Sequence, residues 1–148
     1  MEKLKNIYLG NEDYFCFGCS PNNKYGLNME FFRDGDEIIS YWQPENRFAG
    51  YKNILHGGII STLADEISAW TVTSLLKKMA VTGKLEVKFI KPTYIDKGKV
   101  KLTAKIVKEA HKTVTIEVKL TDSENNLCAV SNVLYYIIGN KNVGDLNI

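Results

Sequence analysis

The chain has 148 residues, of which 45% are hydrophobic and 24% are charged, and its formal net charge is +2. This size and apolar content predict one globular domain over residues 1–148 with a sizeable core, and they argue against a second domain. Because the net charge is small and no run of Lys or Arg is dense, the composition also argues against nucleic-acid binding.

Targeting signals and cysteine usage bear on the compartment. No apolar stretch approaches the roughly 20 residues that span a bilayer, and residues 1–10 lack the apolar segment of a signal peptide. The three cysteines are an odd number and too few for a disulfide framework. We therefore expect a cytoplasmic protein that contacts no membrane.

Residues 1–26 are predicted to form an N-terminal arm and an ordered loop. Turn-forming residues from Tyr14 to Asn23 favour a loop, and it contains the spacing Cys16-x-x-Cys19. A structural zinc site needs four ligands, and no second pair of thiol or imidazole side chains follows in the sequence. We favour small buried thiols over zinc or redox chemistry, and we expect neither a metal nor another cofactor.

Two strands are predicted before the helix, Leu27–Phe32 and Glu37–Trp42, joined by a turn at residues 33–36. The Asp-Gly step between two apolar runs is a hairpin signal. Residues 44–52 then form a polar and aromatic connection of the kind that lines ligand pockets. Its candidates for contact with a substrate are Phe48 and Tyr51, and Trp70 is a third candidate in the helix.

One long helix is predicted from about residue 58 to residue 78. Asp65 and Glu66 are the only charged residues between Gly57 and Leu76, so the helix is expected to be buried on nearly every face. The pair Gly57-Gly58 leaves N–H groups open at the positive end of the helix dipole, where an oxyanion is stabilised. A buried, unpaired carboxylate is costly, so Asp65 has either a function or a hydrogen bond to a neighbouring serine.

Four strands follow the helix. Polar and apolar residues alternate over Val81–Phe89, Lys99–Lys108 and residues 113–120, and the last strand, Leu127–Ile138, is apolar on both faces. Residues 139–148 are predicted to be a polar tail. Two strands, one apolar helix and four strands predict an α+β fold in which a single antiparallel sheet wraps around one helix.

The spacing of the glycine pair and Asp65 has a consequence for the assembly. If both act on one carbonyl group, both must lie about 3 Å from the reacting atoms. Seven or eight helical residues separate them by roughly 10–12 Å along the axis. Either two antiparallel helices from two subunits share the site, or Asp65 does not work with this oxyanion hole.

The motif His56-Gly57-Gly58, followed by Leu63-Ala64-Asp65-Glu66, resembles the hotdog-fold acyl-CoA thioesterases, and specifically the phenylacetic-acid-degradation (PaaI-like) branch. The run Cys-Phe-Gly-Cys-Ser-Pro-Asn-Asn at residues 16–23, followed by Tyr-Gly-Leu, is similar to a segment of many members. The resemblance covers roughly residues 14–138. It implies a hotdog fold and a homodimer, often paired into a dimer of dimers, with the active site between subunits.

The resemblance also implies roles for individual residues. The Gly57 N–H polarises the thioester carbonyl, with Gly58 beside it, and Asp65 of the partner subunit is a general base or a nucleophile. Thr82 falls where relatives carry a hydroxyl that orients the attacking water, and His56 orders the loop or assists near the carbonyl.

Two further residues have less definite roles. Some relatives carry an asparagine six residues before the motif histidine, but this chain has Gly50 there, and Asn53 is the nearest amide. Glu66 is either a second carboxylate of the site or a packing partner.

Hydrolysis of an acyl-CoA to a carboxylic acid and free coenzyme A is the function that these residues favour. A non-catalytic acyl-CoA sensor on the same fold is one alternative, because a fold does not determine a function. A hotdog dehydratase acting on a hydroxyacyl thioester is another. The presence of Asp65 favours hydrolysis over the sensor.

Overall fold

A computed structural model describes residues 1–142, with side chains through Ile138. Over this range one helix, α1 (Gly57–Leu76), packs on one antiparallel sheet. The sheet contains seven described strands: β1 (Glu2–Lys3), β2 (Phe32–Asp34), β3 (Glu37–Trp42), β4 (Lys78–Phe89), β5 (Val100–Glu109), β6 (Thr113–Thr121) and β7 (Leu127–Asn142). Short 3-10 helices occupy Asn46–Phe48 and Ile95–Lys97. The predicted α+β architecture is confirmed.

The strand order is β1-β2-β3-β5-β6-β7-β4, and every neighbouring pair is antiparallel. The helix contacts the sheet from β3 across to β4. Alternate strand residues face it, so that Leu102, Ile116 and Val133 are fully buried beneath Leu63 and Ile67. Each such side chain contributes about 1.5–3 kcal/mol on burial, which explains why a helix with so few charged residues is stable here.

The predicted strand Leu27–Phe32 is wrong, since β2 begins only at Phe32. Asn28 has a positive φ of 51°, which interrupts an extended strand. The backbone N–H groups of Leu27 and Met29 donate to carbonyls of the cysteine-containing loop, at 2.7 and 2.9 Å. Since β2 runs on to Asp34, the predicted turn at residues 33–36 shortens to Gly35 and Asp36, with Gly35 at a φ of 63°.

The helix is displaced slightly from the predicted residues 58–78. It ends at Leu76 because Lys77 is left-handed, with a φ of 54° and a ψ of 37°. The chain therefore turns directly into β4, which starts at Lys78 and not at Val81. None of the helices within residues 1–142 is long and apolar enough to cross a bilayer.

Both ends of the chain add to the sheet. The predicted N-terminal arm contributes the two-residue strand β1, in which Glu2 pairs with Arg33. The last strand continues through residue 142, beyond its predicted end at Ile138. The remainder of the predicted polar tail, residues 143–148, lies outside the described residues.

Candidate active site

The helix start leaves one backbone donor free. His56 is the N-cap, and its Nδ1 accepts a hydrogen bond from the Gly58 N–H at 2.9 Å. Because a backbone N–H only donates, Nδ1 carries no proton and the neutral ring is protonated on Nε2. The Gly57 N–H has no partner among residues 1–142. Of the two backbone N–H groups predicted to hold an oxyanion, that of Gly57 is therefore the one without a partner, and the His56 side chain caps the helix start.

Neither glycine has room for a side chain without cost. A Cβ on Gly57 would lie 3.3 Å from Cζ of Phe89, and a Cβ on Gly58 would lie 3.0 Å from Nδ1 of His56. The first contact is with a β4 side chain and the second would disturb the helix cap. The Gly-Gly sequence thus keeps the positive end of the helix dipole open to a ligand.

Asp65 lies two turns into α1 and faces the sheet. Thr82 Oγ1 donates to its Oδ1 at 2.7 Å, and the Tyr135 hydroxyl is 2.7 Å from the same oxygen and 2.6 Å from the Asp65 carbonyl oxygen. The other carboxylate oxygen, Oδ2, has no hydrogen-bond partner among the described residues. One oxygen is therefore held by two hydroxyl groups while the other is free to accept a proton.

The alternative that Asp65 is hydrogen-bonded to a neighbouring serine is wrong. Ser61 donates to the Gly57 carbonyl at 3.0 Å, and Ser68 donates to the Ala64 carbonyl at 2.7 Å. Both hydroxyls bond to the preceding turn of the helix, as serines inside helices commonly do. The partners of Asp65 come from strands β4 and β7 instead.

Tyr135 is a site residue that the sequence reasoning missed. Burial raises the pKa of Tyr135, and the negative charge of Asp65 raises it further, so the phenol remains a neutral donor. Tyr135 is the direct cross-strand partner of Thr82 in the β4–β7 pairing, which places both hydroxyls on one face. The available signal was a tyrosine in the apolar last strand, but its use required the register.

The remaining residues of the helix-start loop support the backbone. Asn53 has a φ of 63°, and its Oδ1 accepts the Asp96 N–H at 3.1 Å. Phe48 is buried against Trp42, with ring centroids 5.5 Å apart, and its carbonyl accepts the His56 N–H at 2.9 Å. Asn53 and Phe48 thus use their hydrogen-bonding groups to hold the loop in place.

The other two candidate pocket residues differ sharply in exposure. Tyr51 is 85% exposed in the single chain, so it lines no enclosed pocket there. Trp70 is buried and stacks on Phe31, with ring centroids 4.7 Å apart. Trp70 is therefore part of the core beneath the N-terminal arm.

Glu66 lies apart from Asp65. Its Oε1 is 3.3 Å from Nε1 of Trp70 and 3.3 Å from Sγ of Cys16. Burial raises the pKa of Glu66 to about 7, and a hydrogen bond from the neighbouring Cys19 thiol lowers the pKa of Cys16. Within the single chain, the Glu66 side chain therefore lies beside the cysteine pair and not beside Asp65, where a second carboxylate of the site would lie. Within residues 1–142, Cys16, Cys19 and Glu66 are the group close enough to hold a metal ion.

Comparison with protein families identifies related sequences. The family model of the thioesterase superfamily matches residues 52–129, more than half of the chain. A putative esterase of Saccharolobus solfataricus is 31% identical over 108 residues, which are 72% of this chain and 70% of that protein. An uncharacterized protein of Schizosaccharomyces pombe is 38% identical over 61 residues, which span 40% of this chain and 35% of that protein's length.

Solved structures share the fold. A thioesterase of Haemophilus influenzae has a TM-score of 0.70 at 23% identity, covering 82% of this chain and 84% of that one. A hypothetical thioesterase of Streptococcus pneumoniae, solved with coenzyme A, has a TM-score of 0.70 at 22% identity, covering 76% and 90%. The PaaI protein of the Escherichia coli phenylacetic acid degradation operon has a TM-score of 0.69 at 18% identity, covering 76% and 82%. The predicted hotdog fold is confirmed.

Proposed function

This chain belongs to the thioesterase superfamily, and we propose that it hydrolyses the thioester of an acyl-CoA to a carboxylic acid and free coenzyme A. The coenzyme A in the Streptococcus pneumoniae structure supports this substrate class. The His56-Gly57-Gly58 motif and the residues around Cys16 and Cys19 support a place in the PaaI-like branch.

One observation carries the proposal, namely the arrangement of the Asp65 carboxylate. Two hydroxyl groups hold Oδ1 at 2.7 Å, so the negative charge is stabilised and the carboxylate plane is oriented. Oδ2 remains free to take a proton from a water molecule. A positioned carboxylate of this kind contributes roughly 10²–10⁴-fold to the rate of a hydrolysis.

In the proposed reaction, Oδ2 of Asp65 removes a proton from water as the water oxygen bonds to the thioester carbon. The negative charge that develops on the carbonyl oxygen is stabilised by the Gly57 N–H and the helix dipole. The C–S bond then breaks, and the proton passes from Asp65 to the coenzyme A thiolate. If Oδ2 attacks the carbonyl directly, the C–S bond breaks, coenzyme A leaves as the thiolate, and water then hydrolyses the acyl-aspartyl anhydride and supplies the proton that the thiolate takes up. In a single turnover in H₂¹⁸O, attack of water on the Asp65 carboxyl carbon of the anhydride labels Asp65, and the general-base route never labels it.

The two halves of this site come from different subunits in our proposal. Gly57 and Asp65 are eight residues apart in α1, which is about 12 Å along the axis and too far for one aspartate to span. We propose a homodimer, alone or as a dimer of dimers, in which Gly57 meets Asp65 of the partner subunit.

The open edge of the sheet supports this assembly. Strand β4 is one of the two edge strands of the described sheet and has 12 residues, with Val81 50% exposed and Phe89 53% exposed. Phe89 also lies against Gly57. A long exposed edge with apolar side chains is suited to pairing with a second copy.

The direct test is to incubate the purified protein with a panel of short, medium, long and aromatic acyl-CoA thioesters and to measure free thiol. We expect release from at least one member at a rate proportional to enzyme concentration. Absence of release from every member would contradict the proposal, and tight binding without release would identify a sensor. Hydration or dehydration of a hydroxyacyl-CoA without thiol release would identify a dehydratase.

The oxyanion donor is tested by Gly57→Pro, which removes the N–H at a helix position that tolerates proline. His56 has a φ of −60° and a ψ of 132°, an extended geometry compatible with a following proline. We expect kcat to fall by roughly 10²–10³-fold. Gly57→Ala is the control, because its Cβ meets the same Phe89 ring while the N–H remains. Equal losses in both variants would assign the effect to packing.

Sharing between subunits is tested by mixing. Asp65→Asn and Gly57→Pro subunits, each inactive alone, are unfolded together and refolded. In a shared site, each mixed dimer contains one site with both native residues, so about a quarter of the wild-type rate returns. If each site lies within one subunit, no activity returns. An active monomer in light scattering would also overturn the shared site.

A further inference from the structure

Three potential metal ligands meet on the side of α1 away from Asp65. They are the thiols of Cys16 and Cys19 and the carboxylate of Glu66, whose ligand atoms all lie within 4.8 Å of one another. Cys19 is 2% exposed, and Cys16 and Glu66 are partly buried. These side chains have no part in the thioester chemistry proposed above, so the cluster requires its own explanation.

The loop that carries the two thiols, which we call the thiol loop (Tyr14–Asn23), is held in a defined conformation. The Ser20 N–H donates to the Cys16 carbonyl at 3.0 Å, which closes the turn between the cysteines. A Cβ on Gly18 would lie 2.5 Å from Cδ of Glu66, so a larger residue there would force the Glu66 side chain or the loop to shift. The fold therefore brings the thiols to Glu66 through backbone structure.

Glu66 has no cationic partner among residues 1–142, since none of the ion pairs there includes it. Its neighbours are the Cys16 thiol, a weak donor, and the Trp70 indole, both at 3.3 Å. A carboxylate removed from water costs free energy unless a positive charge or strong donors compensate. Two soft sulfur ligands and one carboxylate oxygen form a donor set that suits zinc.

We propose that Cys16, Cys19 and Glu66 bind one Zn²⁺ ion, with a water molecule in the fourth position. Zinc forms one bond to each sulfur, one to a Glu66 oxygen and one to the water oxygen; the protons that the thiols and the Glu66 carboxyl carry pass to solvent, and no electron is transferred. Tetrahedral coordination at about 2.3 Å for sulfur and 2.0–2.2 Å for oxygen requires the ligand atoms to approach to roughly 3.5–3.8 Å. All the ligand atoms lie within 4.8 Å of one another, so the widest separation must close by no more than about 1 Å.

A tyrosine hydroxyl beside the thiols would support a bound zinc ion. The Tyr14 hydroxyl is 2.8 Å from Sγ of Cys19 and can donate to a bound thiolate. Such outer hydrogen bonds orient metal ligands and tune their affinity. The ion would join the thiol loop to α1 at the residue that follows Asp65, so its role is to tie two distant segments together.

The sequence alone argued against this site because it offered a single pair of cysteines and no second pair. The third ligand is a glutamate in the middle of a helix, 50 residues after Cys16. Carboxylates complete zinc sites that keep one position for water, whereas closed structural sites use four Cys or His ligands.

The test uses the full chain, reduced with a phosphine, stripped with a chelator and titrated without oxygen. Co²⁺ should produce a thiolate-to-metal charge-transfer band that saturates at one equivalent and is abolished by Zn²⁺. X-ray absorption of the zinc form should show two sulfur ligands. A fully reduced protein that gives no such band, or a zinc form with a different number of sulfurs, would overturn the proposal.

Variants then identify the ligands. We expect Cys16→Ser, Cys19→Ser and Glu66→Gln each to weaken Zn²⁺ at least about 100-fold in competition with a chromogenic chelator. Cys128→Ser is the matched control, because Cys128 is a buried free thiol in β7, outside the cluster, and its loss should leave zinc affinity unchanged. Unchanged affinity in Cys16→Ser would refute the assignment. The measurement involves no thioester, so it stands or fails independently of the proposed hydrolysis, and circular dichroism confirms that each variant is folded.

Discussion

Asp65 and Glu66 are consecutive carboxylates that the fold places in opposite settings. One helical step of about 100° separates them. Asp65 receives hydroxyl donors from two strands at 2.7 Å, whereas Glu66 receives a thiol and an indole at 3.3 Å. Burial raises the pKa of Glu66 to about 7. The facing elements therefore decide what each carboxylate does, since strand hydroxyls equip one as a base and thiols equip the other as a metal ligand.

The largest effect on turnover is expected from Asp65→Asn. The amide keeps an oxygen that accepts from Thr82 and Tyr135 but cannot take a proton, so we expect kcat to fall at least about 100-fold. The free energy of unfolding should change by less than about 1.5 kcal/mol. Both are measured on the best acyl-CoA and by denaturant unfolding. Asp36→Asn, in the exposed β2–β3 turn, is the control. Normal turnover in the Asp65 variant would remove this residue from the mechanism.

A smaller effect is expected from Tyr135→Phe, which removes the buried donor to Asp65. We expect kcat to fall about tenfold with KM within twofold, and the free energy of unfolding to fall by about 1–3 kcal/mol, because the hydrogen bond is to a charged group. Tyr136→Phe is the adjacent control, since Tyr136 is 49% exposed. A rise in KM with kcat unchanged would show that Tyr135 contacts substrate and does not position the base.

Thr82→Val should have a still smaller effect, because Thr82 is exposed and water can replace its hydroxyl. We expect a threefold to fivefold fall in kcat, which corresponds to a rise of about 1 kcal/mol in the activation free energy. Thr82→Ser keeps the Oγ donor to Asp65 and should retain wild-type turnover. If Ser and Val behave alike, the hydroxyl has no role.

On the Glu66 side, Gly18→Ala tests the close approach of the thiol loop. The new Cβ would lie 2.5 Å from Cδ of Glu66, so we expect the free energy of unfolding to fall by about 1–3 kcal/mol. The effect on kcat should be smaller than that of the changes at Asp65, Tyr135 and Thr82. Gly50→Ala is the matched control, because its Cβ meets nothing nearer than 3.5 Å. Equal stability of the two variants would show that the loop yields easily.

The sequence was most informative where a local pattern determines the structure. Alternation predicted three of the four C-terminal strands, an apolar run predicted the last, and the near absence of charge predicted a buried helix. Asn28 shows a limit, since a positive φ and backbone bonds to a distant loop ended the predicted first strand. A pattern of neighbouring residues does not reveal hydrogen bonds to a distant part of the chain.

The contacts that the sequence did not predict, at Asp65 and at Glu66, join residues far apart in the chain. Tyr135 reaches Asp65 over 70 residues through the register of β4 and β7. Cys16 reaches Glu66 over 50 residues through the packing of a loop on a helix. The sequence drew attention to Asp65 and, while arguing against a metal there, to the cysteine pair. Their partners became evident only once the strand register and the packing of the loop on the helix were known.

The left-handed turn at Lys77 affects how the protein reaches its native state. Because α1 reverses directly into β4, Asp65 and Thr82 are only 17 residues apart and can meet early, with a low entropic cost of closing the loop. Tyr135 can join them only after β7 has paired in the sheet. The contact of Asp65 with Thr82 therefore closes a much shorter loop than the contact of Asp65 with Tyr135, which is 70 residues away.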